Sequence, residues 1–345
     1  PSPPEDRRNA RKGLSVSEKR KKLAEKRKRK KRKALGGSSS AGPPQDQLNY
    51  LLEHYQASRL DEAEALATSI TRQFPKHPFG WKVLGAVFKR LDRLNESLAS
   101  KQKVVELSPY DADAHNNLGI TLQELGRLDE AEVSYRRAIA LKPDYAEAHY
   151  NLGITLTGVV RLEDAEASYR QAISLKPGYA DAHNNLGITL QELGRLDDAE
   201  ASCRKAIALK PGFAEAHSNL GNTLKELSRL GDAEASYRKA IVLRPDCAEV
   251  HNNLGTTLRE LGRLDEAEAS YKKAIALRSD CAGTHDNLGT TLRALGRLDE
   301  SEASYREAIA LKPDFAEAHN NLGVTLRELG RFDEAEASYR KALAL

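Results

Sequence analysis

The sequence has no Met, one Trp and three Cys among its 345 residues, and only 6% of its residues are aromatic. Three Cys in so long a chain argue against a disulfide framework and fit a reducing compartment. No apolar run approaches the roughly 18 residues that a membrane span needs, and no apolar stretch follows the N-terminal charges as a secretory signal requires. We therefore expect neither secretion nor membrane insertion, and we predict a cytoplasmic location.

The missing Met also bears on the ends of the chain. The sequence begins at Pro1-Ser2 without an initiator, and its last residues, Tyr339 to Leu345, stop in the middle of a repeated pattern. We therefore expect the chain to be part of a longer protein.

Charge is distributed unevenly along the sequence. Residues 1–34 carry sixteen Lys or Arg against four Asp or Glu, a balance of +12, so the rest of the chain must sum to −8 to give the overall +4. The cations concentrate in two clusters: Lys19, Arg20, Lys21, Lys22, Lys26, Arg27, Lys28, Arg29, Lys30, Lys31, Arg32 and Lys33. No aromatic residue interrupts them, so this tail could attract a phosphate backbone without reading sequence, act as a nuclear import signal in a eukaryote, or remain a solvated disordered arm.

The remainder of the sequence repeats with a period of 34 residues. Histidines and glycines mark the register from His115 and Gly119 to His319 and Gly323. Extending this register backward gives nine units over residues 44–345, the last of which lacks four residues. Such a period is typical of solenoid proteins, in which each unit buries its apolar surface only against its neighbours.

Each unit contains two apolar stripes with helical spacing. In the unit that starts at Ala112, the first stripe ends before Gly126-Arg127 and the second begins at Leu128 and runs to Ile139. We expect Gly119 and Ala131 to be small because the two helix backbones approach closely there, and Pro143 to end the unit.

The positions of these residues match the signature of the tetratricopeptide repeat (TPR), which the sequence resembles over all but its first 43 residues. The resemblance implies an all-α, right-handed TPR superhelix, or α-solenoid, whose first helices line a concave groove. The predicted organisation is a disordered basic tail, a Gly/Ser/Pro linker, two degenerate repeats, six regular repeats and a truncated one: 1–34, 35–43, 44–77, 78–111, 112–145, 146–179, 180–213, 214–247, 248–281, 282–315 and 316–345.

The sequence gives little sign of catalysis or metal binding. The regularly spaced histidines occupy the position where the repeat motif has Trp, and neighbouring helices lie about 8–10 Å apart, too far for several histidines to share one zinc ion. The three cysteines, Cys203, Cys247 and Cys281, replace aromatic residues of sister units, which favours small buried apolar roles. No phosphate loop, nucleophile elbow or paired metal-ligand motif occurs, so we predict no enzyme, no cofactor and no metal within these residues.

A column of asparagines is the strongest sign of a binding surface. The sixth residue of the unit is Asn in eight of nine copies, and the candidate peptide-binding members are Asn117, Asn151, Asn185, Asn219, Asn253, Asn287 and Asn321. A carboxamide offers an acceptor and two donors, so a column could hold an extended peptide by its backbone. This pattern looks like the TPR region of O-linked N-acetylglucosamine transferases, and that resemblance implies a ladder that contacts the substrate polypeptide. The repeats also resemble those of bacterial multi-TPR proteins. The alternative is that each Asn only bonds a neighbouring helix.

Charges near the column are graded. The twelfth residue of the unit is uncharged in the earlier regular repeats and becomes cationic later, at Lys225, Arg259, Arg293 and Arg327, which we include among the candidate peptide-binding residues. We expect the acidic second residues of the units to oppose them, and these are Asp113, Glu147, Asp181, Glu215, Glu249 and Glu317.

Three functions remain open from the sequence. The first is a protein–protein interaction scaffold that binds extended polypeptides in the groove. The second is the substrate-recognition arm of a larger glycosyltransferase, sulfotransferase or methyltransferase, whose catalytic domain would lie outside this chain. The third is a nucleic-acid-associated adaptor that acts through the basic tail. The sequence does not predict whether the protein forms oligomers.

Overall fold

A computed structural model describes residues 42–345, so the predicted basic tail lies outside the described part of the chain. The described residues divide into two compact units, 42–93 and 94–345. Within the first unit the described helices are Gln45–Gln56, Leu60–Gln73 and Pro78–Arg90. The helices of the second unit are Leu94–Leu107, Ala112–Glu124, Leu128–Leu141, Ala146–Gly158, Leu162–Leu175, Ala180–Glu192, Leu196–Leu209, Ala214–Glu226, Leu230–Leu243, Ala248–Glu260, Leu264–Leu277, Ala282–Ala294, Leu298–Leu311, Ala316–Glu328 and Phe332–Leu343. No strand occurs in residues 42–345.

The helices follow the 34-residue register. From Ala112 onward each repeat is a first helix of thirteen residues followed by a second helix that begins sixteen residues later. Each second helix packs against its own first helix and against the first helix of the next repeat, as expected of a solenoid. The predicted all-α TPR solenoid is therefore confirmed. No helix in the described residues is long and apolar enough to cross a membrane.

A tyrosine ring joins the two helices of most regular repeats. The ring of Tyr135 is fully buried and lies over Gly119, where an added Cβ would come within 2.7 Å of it. The same arrangement recurs at Tyr169, Tyr237, Tyr271 and Tyr305. The ring of Tyr135 thus fills the space that a side chain on Gly119 would need. At the equivalent Gly187, where Cys203 replaces the tyrosine, an added Cβ would also lie 3.3 Å from the carbonyl oxygen of Ala199, so the two backbones approach closely there as expected.

The cysteines occupy two kinds of position. Cys203 takes the tyrosine position of its repeat and is fully buried, as predicted. Cys247 and Cys281 are only partly buried, and they lie at the N-caps of the helices that start at Ala248 and Ala282. The predicted buried role is therefore wrong for these two.

The turn between the two helices places one residue in the left-handed region. After the helix Ala112–Glu124, the Gly126 N–H donates to the Gln123 carbonyl and the Arg127 N–H to the Leu122 carbonyl, both at 2.9 Å, which is a Schellman motif. Gly126 has a φ of +71°. Val160 holds the equivalent place at +59°, where its branched side chain is strained.

An arginine after this turn connects each repeat to the preceding one. Arg229 contacts Asp232 of its own second helix at 2.7 Å and Glu200 of the preceding second helix at 2.7 Å, and Arg204 also contacts Glu200 at 2.8 Å. Equivalent pairs join second helices elsewhere: Arg161–Glu132, Arg195–Glu166, Arg263–Glu234, Arg297–Glu268 and Arg331–Glu302. These arginines stabilise the stacking of repeats through specific ion pairs.

Replacing Val160 by Gly is expected to stabilise the fold. The substitution removes about 1 kcal/mol of left-handed backbone strain, and it loses few contacts because Val160 is 77% exposed. Urea denaturation followed by circular dichroism measures the change. The matched reverse variant, Gly194→Val, should lower stability, and equal stability of both variants and the unchanged protein would contradict the assignment of strain.

The stacking ion pairs should make stability fall in acid. Burial alone raises the pKa of Glu200, but hydrogen bonds from Arg204 and Arg229 outweigh it, and the folded pKa lies below the ordinary 4.5. A depressed carboxyl pKa contributes stability above 4.5, which is lost as the pH falls through the folded value. Glu200→Gln, an uncharged mimic of the protonated form, should cost about 1 kcal/mol at pH 7 and nothing in acid.

Denaturation curves at several pH values test this expectation. Glu307→Gln is the matched control, because Glu307 is exposed and forms no ion pair within residues 42–345. A deficit of Glu200→Gln that persists unchanged below pH 3 would show that the glutamate acts through packing rather than through charge.

Candidate polypeptide-binding face

Four positions of each first helix lie on one side of the array. These are the fifth, sixth, ninth and twelfth residues of the repeat, which share a helix face because they are spaced at one, four and seven. We call this surface the first-helix face. Within residues 94–345, first helices of successive repeats contact each other more extensively than second helices do, so the repeats lie closest together on this side.

The predicted asparagines form a row of hydrogen bonds across this face. The Nδ2 of Asn151 donates to the Oδ1 of Asn116 at 3.1 Å, and Asn219 donates in the same way to Asn184 at 3.0 Å. Three further members donate to the fifth residue of the preceding repeat: Asn185 to Tyr150 Oη, Asn287 to Asn252 and Asn321 to Asp286. We call the asparagines that donate these bonds, together with Asn253, the amide row: Asn151, Asn185, Asn219, Asn253, Asn287 and Asn321.

One member of the amide row uses a different partner. The fifth residue of the repeat before Asn253 is Ser218, whose side chain is too short to offer a distant acceptor. The Nδ2 of Asn253 donates instead to the Oδ1 of Asn222 at 3.1 Å, and this oxygen also accepts from the hydroxyl of Tyr237 at 2.7 Å. The row therefore continues across the exception.

These bonds do not use all the donor and acceptor atoms of the amide row. Each carboxamide has two N–H groups and an oxygen, and only one N–H is used between repeats. Within the described residues, no hydrogen bond reaches the Oδ1 of Asn151, Asn219, Asn287 or Asn321, and these side chains are partly exposed. Asn117 is exposed. The column thus serves the alternative role of bonding a neighbouring helix and still presents donors and acceptors at the surface.

The twelfth residues differ in how they are held. Gln123 Oε1 accepts from Thr155 Oγ1 of the next repeat at 3.2 Å, and Gln191 Oε1 accepts from Thr223 Oγ1 at 3.3 Å. The later cations replace these glutamines, and none of them forms an ion pair among residues 42–345: Lys225, Arg259, Arg293 and Arg327. Their charges remain available, in contrast to the paired arginines of the turns.

Asp286 is a residue of this face that the sequence analysis missed. It holds the fifth position of its repeat, where sister units have Asn116 or Asn184. Burial raises the pKa of its carboxyl group, against the hydrogen bond from Asn321 and the nearby charges of Arg259 and Arg293, which lower it. The fifth residue of the repeat carries the signal that could have found it, because most of the sixth residues bond that column.

The acidic second residues do not all oppose the groove cations. Glu147 pairs with Lys176 at 3.1 Å, and Glu215 pairs with Arg244. Both partners lie at the C-terminal end of the second helix of the same repeat. The expected opposing acidic row is therefore wrong for Glu147 and Glu215, whose charges are neutralised at the edge of the array.

The histidine column has a structural role. The Nε2 of His115 bonds the carbonyl oxygen of Pro109 at 3.0 Å, and His149, His183, His217, His251, His285 and His319 bond the carbonyl six residues before them in the same way. Burial lowers the pKa of His183 and His217, which favours their neutral form. No group of three or more potential ligands in the described residues is arranged to hold a metal ion.

Comparison with known families agrees with this geometry. Sequence models described as tetratricopeptide repeat or TPR repeat match residues 102–133, 122–157, 161–194, 180–213, 212–280, 246–314 and 287–345, which together exceed half of the chain. The chain belongs to the tetratricopeptide repeat family. As a TPR array it is a protein-interaction scaffold, and TPR proteins bind polypeptide partners.

Solved structures show the same TPR fold. The structure titled for Pseudomonas aeruginosa pilF is 21% identical, with a TM-score of 0.54, and the match covers 60% of this chain and 94% of that one. The Cut9-Hcn1 structure of the APC/C is 19% identical, with a TM-score of 0.55, over 84% of this chain and 57% of that one. MamA is 28% identical over 46% of this chain and 93% of that one, with a TM-score of 0.44. No curated protein gives a significant match.

The bond between Asn219 and Asn184 should contribute measurably to TPR stacking. Replacing either residue by Ala is expected to lower the free energy of unfolding by about 1 kcal/mol, because the bond between them is lost, and Asn184→Ala also removes the weaker bond to Asn185. The double variant should cost less than the sum of the single changes, with a coupling of about 0.5 kcal/mol or more.

A double-mutant cycle in urea measures this coupling. The control cycle pairs Asn184 with Asn287, which share no hydrogen bond. Additive costs for Asn184 and Asn219, like those expected of the control, would contradict a direct bond between them.

Proposed function

We propose that the array binds an extended polypeptide along its first-helix face, through the backbone of the ligand. The observation that carries this proposal is the amide row, which repeats once in each regular repeat and keeps unpaired donor and acceptor atoms at the surface. Peptide bonds present the complementary groups, a C=O and an N–H. A row of carboxamides therefore favours long, flexible segments over any particular side chain.

The inter-repeat bonds support this proposal by orienting the amides. Because Asn184 fixes one N–H of Asn219, the other N–H and the oxygen of Asn219 are held in a fixed direction. A group whose rotamer is already ordered loses less conformational entropy on binding, which favours affinity. The structural role of the column and the proposed binding role are therefore compatible.

Two alternative functions suggested by the sequence remain predictions. The larger-enzyme hypothesis would use the same face to select substrates, and sequencing the downstream reading frame tests it. The resemblance to O-linked N-acetylglucosamine transferases and the cytoplasmic location are likewise predictions. The nucleic-acid hypothesis depends on the basic tail, which lies outside the described residues.

Removing three adjacent members of the amide row should weaken peptide binding. In the variant Asn185→Ala/Asn219→Ala/Asn253→Ala, three ligand hydrogen bonds are lost, and we expect affinity for uncharged extended peptides to fall at least about ten-fold. Fluorescence anisotropy with a panel of uncharged synthetic peptides measures the affinity, and circular dichroism verifies that the variant is folded.

A matched variant separates binding from stacking. Tyr150→Phe/Asn184→Ala/Asn222→Thr removes the acceptors of the same three inter-repeat bonds and leaves the three asparagines in place. Threonine is chosen at 222 because Thr256 accepts the equivalent tyrosine hydroxyl. We expect this variant to retain most of the peptide affinity. Equal loss in both variants would assign the asparagines to stacking alone, and unchanged binding in the first variant would exclude the amide row as the binding site.

A further inference from the structure

We propose that the segment held by residues 214–345 is acidic, with a carboxylate at about every third residue that meets the cations at the twelfth positions. This inference rests on the proposed function and specifies the chemistry of its ligand. It names an acidic polypeptide as the occupant of the C-terminal half of the first-helix face.

The state of the cations is the first observation. Lys225, Arg259, Arg293 and Arg327 form no ion pair in the described part of the chain, although the turn arginines of the same repeats are each paired with two carboxylates. The chain thus neutralises its charge on the second-helix side and leaves one cation per repeat on the first-helix face. An unpaired row of one sign favours a ligand of the opposite sign.

The surroundings of Arg259 and Arg293 are the second observation. In the repeat 282–315, Ala294 replaces the glutamate that follows the twelfth position in most sister units. The Nε of Arg259 is buried and has no hydrogen-bond partner in residues 42–345. Asp286 is the nearby acid that both arginines influence, so its carboxylate partly offsets their charge.

The spacing of the cations defines the pattern expected in the ligand. Packed helices lie about 8–10 Å apart, which sets the distance between equivalent residues of contacting first helices. An extended chain advances about 3.3 Å per residue. One repeat therefore corresponds to about three residues of ligand, and four cations correspond to about twelve.

The same residues argue against a nucleic acid on this face. Recognition of single strands depends on aromatic side chains that stack on the bases. The fifth, sixth, ninth and twelfth positions of the repeats from 214 to 345 contain no aromatic residue. An acidic peptide, which can use the amides and the cations together, fits better.

Binding of defined peptides to the full chain tests the proposal. The probe is a capped, fluorescently labelled peptide of four Glu-Ser-Ser units, compared with four Gln-Ser-Ser units and with a peptide of the same composition whose four glutamates are adjacent. We expect the spaced acidic peptide to bind at least about ten-fold more tightly than the Gln peptide, since each exposed ion pair contributes about two- to five-fold. This preference should weaken as salt is added.

Two sets of variants localise the effect. In Lys225→Gln/Arg259→Gln/Arg293→Gln/Arg327→Gln each cation becomes the residue found at Gln123 and Gln191, and we expect the preference for the acidic peptide to disappear. The control Arg137→Gln/Lys205→Gln/Lys239→Gln/Lys273→Gln removes equal charge from exposed positions of the second helices and should keep it. Asp286→Asn retains the acceptor for Asn321 and should tighten acidic-peptide binding about two- to five-fold.

The outcomes separate this inference from the proposed function. Equal binding of the Glu and Gln peptides, or a preference that is as strong in the first variant as in its control, would overturn the inference and leave the proposed function intact. Equal binding of the spaced and clustered acidic peptides would overturn the three-residue pattern. If the unmodified chain binds none of the peptides, both this inference and the proposed function are overturned. Displacement of the acidic peptide by single-stranded oligothymidylate, dependent on the four cations, would assign the face to a nucleic acid instead. Every protein keeps the same N-terminal segment, so its charge contributes equally throughout.

Discussion

The structure depends on a buried tyrosine ring that occupies the space of a missing side chain. Tyr135 lies on Gly119, and its counterparts do the same, so the same buried contact joins the two helices in five of the six regular repeats. Because a helical hairpin of this size cannot bury its own apolar surface, the uniform hairpins must stack. Uniform stacking in turn brings equivalent residues of successive first helices within reach of each other, and the amide row is the consequence.

Polar contacts then divide between the two sides of the array. On the side of the second helices, Glu200 and its equivalents are largely buried between two cations, one from their own repeat and one from the next. On the side of the first helices, carboxamides carry the contacts between repeats and the cations have no ionic partner among the described residues. An array can in this way be rigidly stacked and still retain charge on the surface that faces a ligand.

The sequence predicts much of the fold because its signals are local. The Gly126-Arg127 interruption and the return of apolar residues at Leu128 define both helices, and the structure places them there. The partners of the asparagines were not predictable, since the bond from Asn219 to Asn184 joins residues 35 positions apart and depends on stacking geometry. Asp286 was missed for the same reason. The partial exposure of Cys247 and Cys281, which lie at helix N-caps, was not predictable from the 34-residue register alone.

In most regular repeats, the sixth residue bonds the fifth residue of the preceding repeat. This regularity makes the array modular. If residues 180–213 were removed, Asn219 would face Tyr150, the partner that Asn185 already uses. The new junction would therefore be joined by an Asn–Tyr pair of the kind that Asn185 and Tyr150 already form. Arrays bonded in this way can lengthen or shorten by whole units without inventing a new interface, so the reach of the binding surface can change independently of its chemistry.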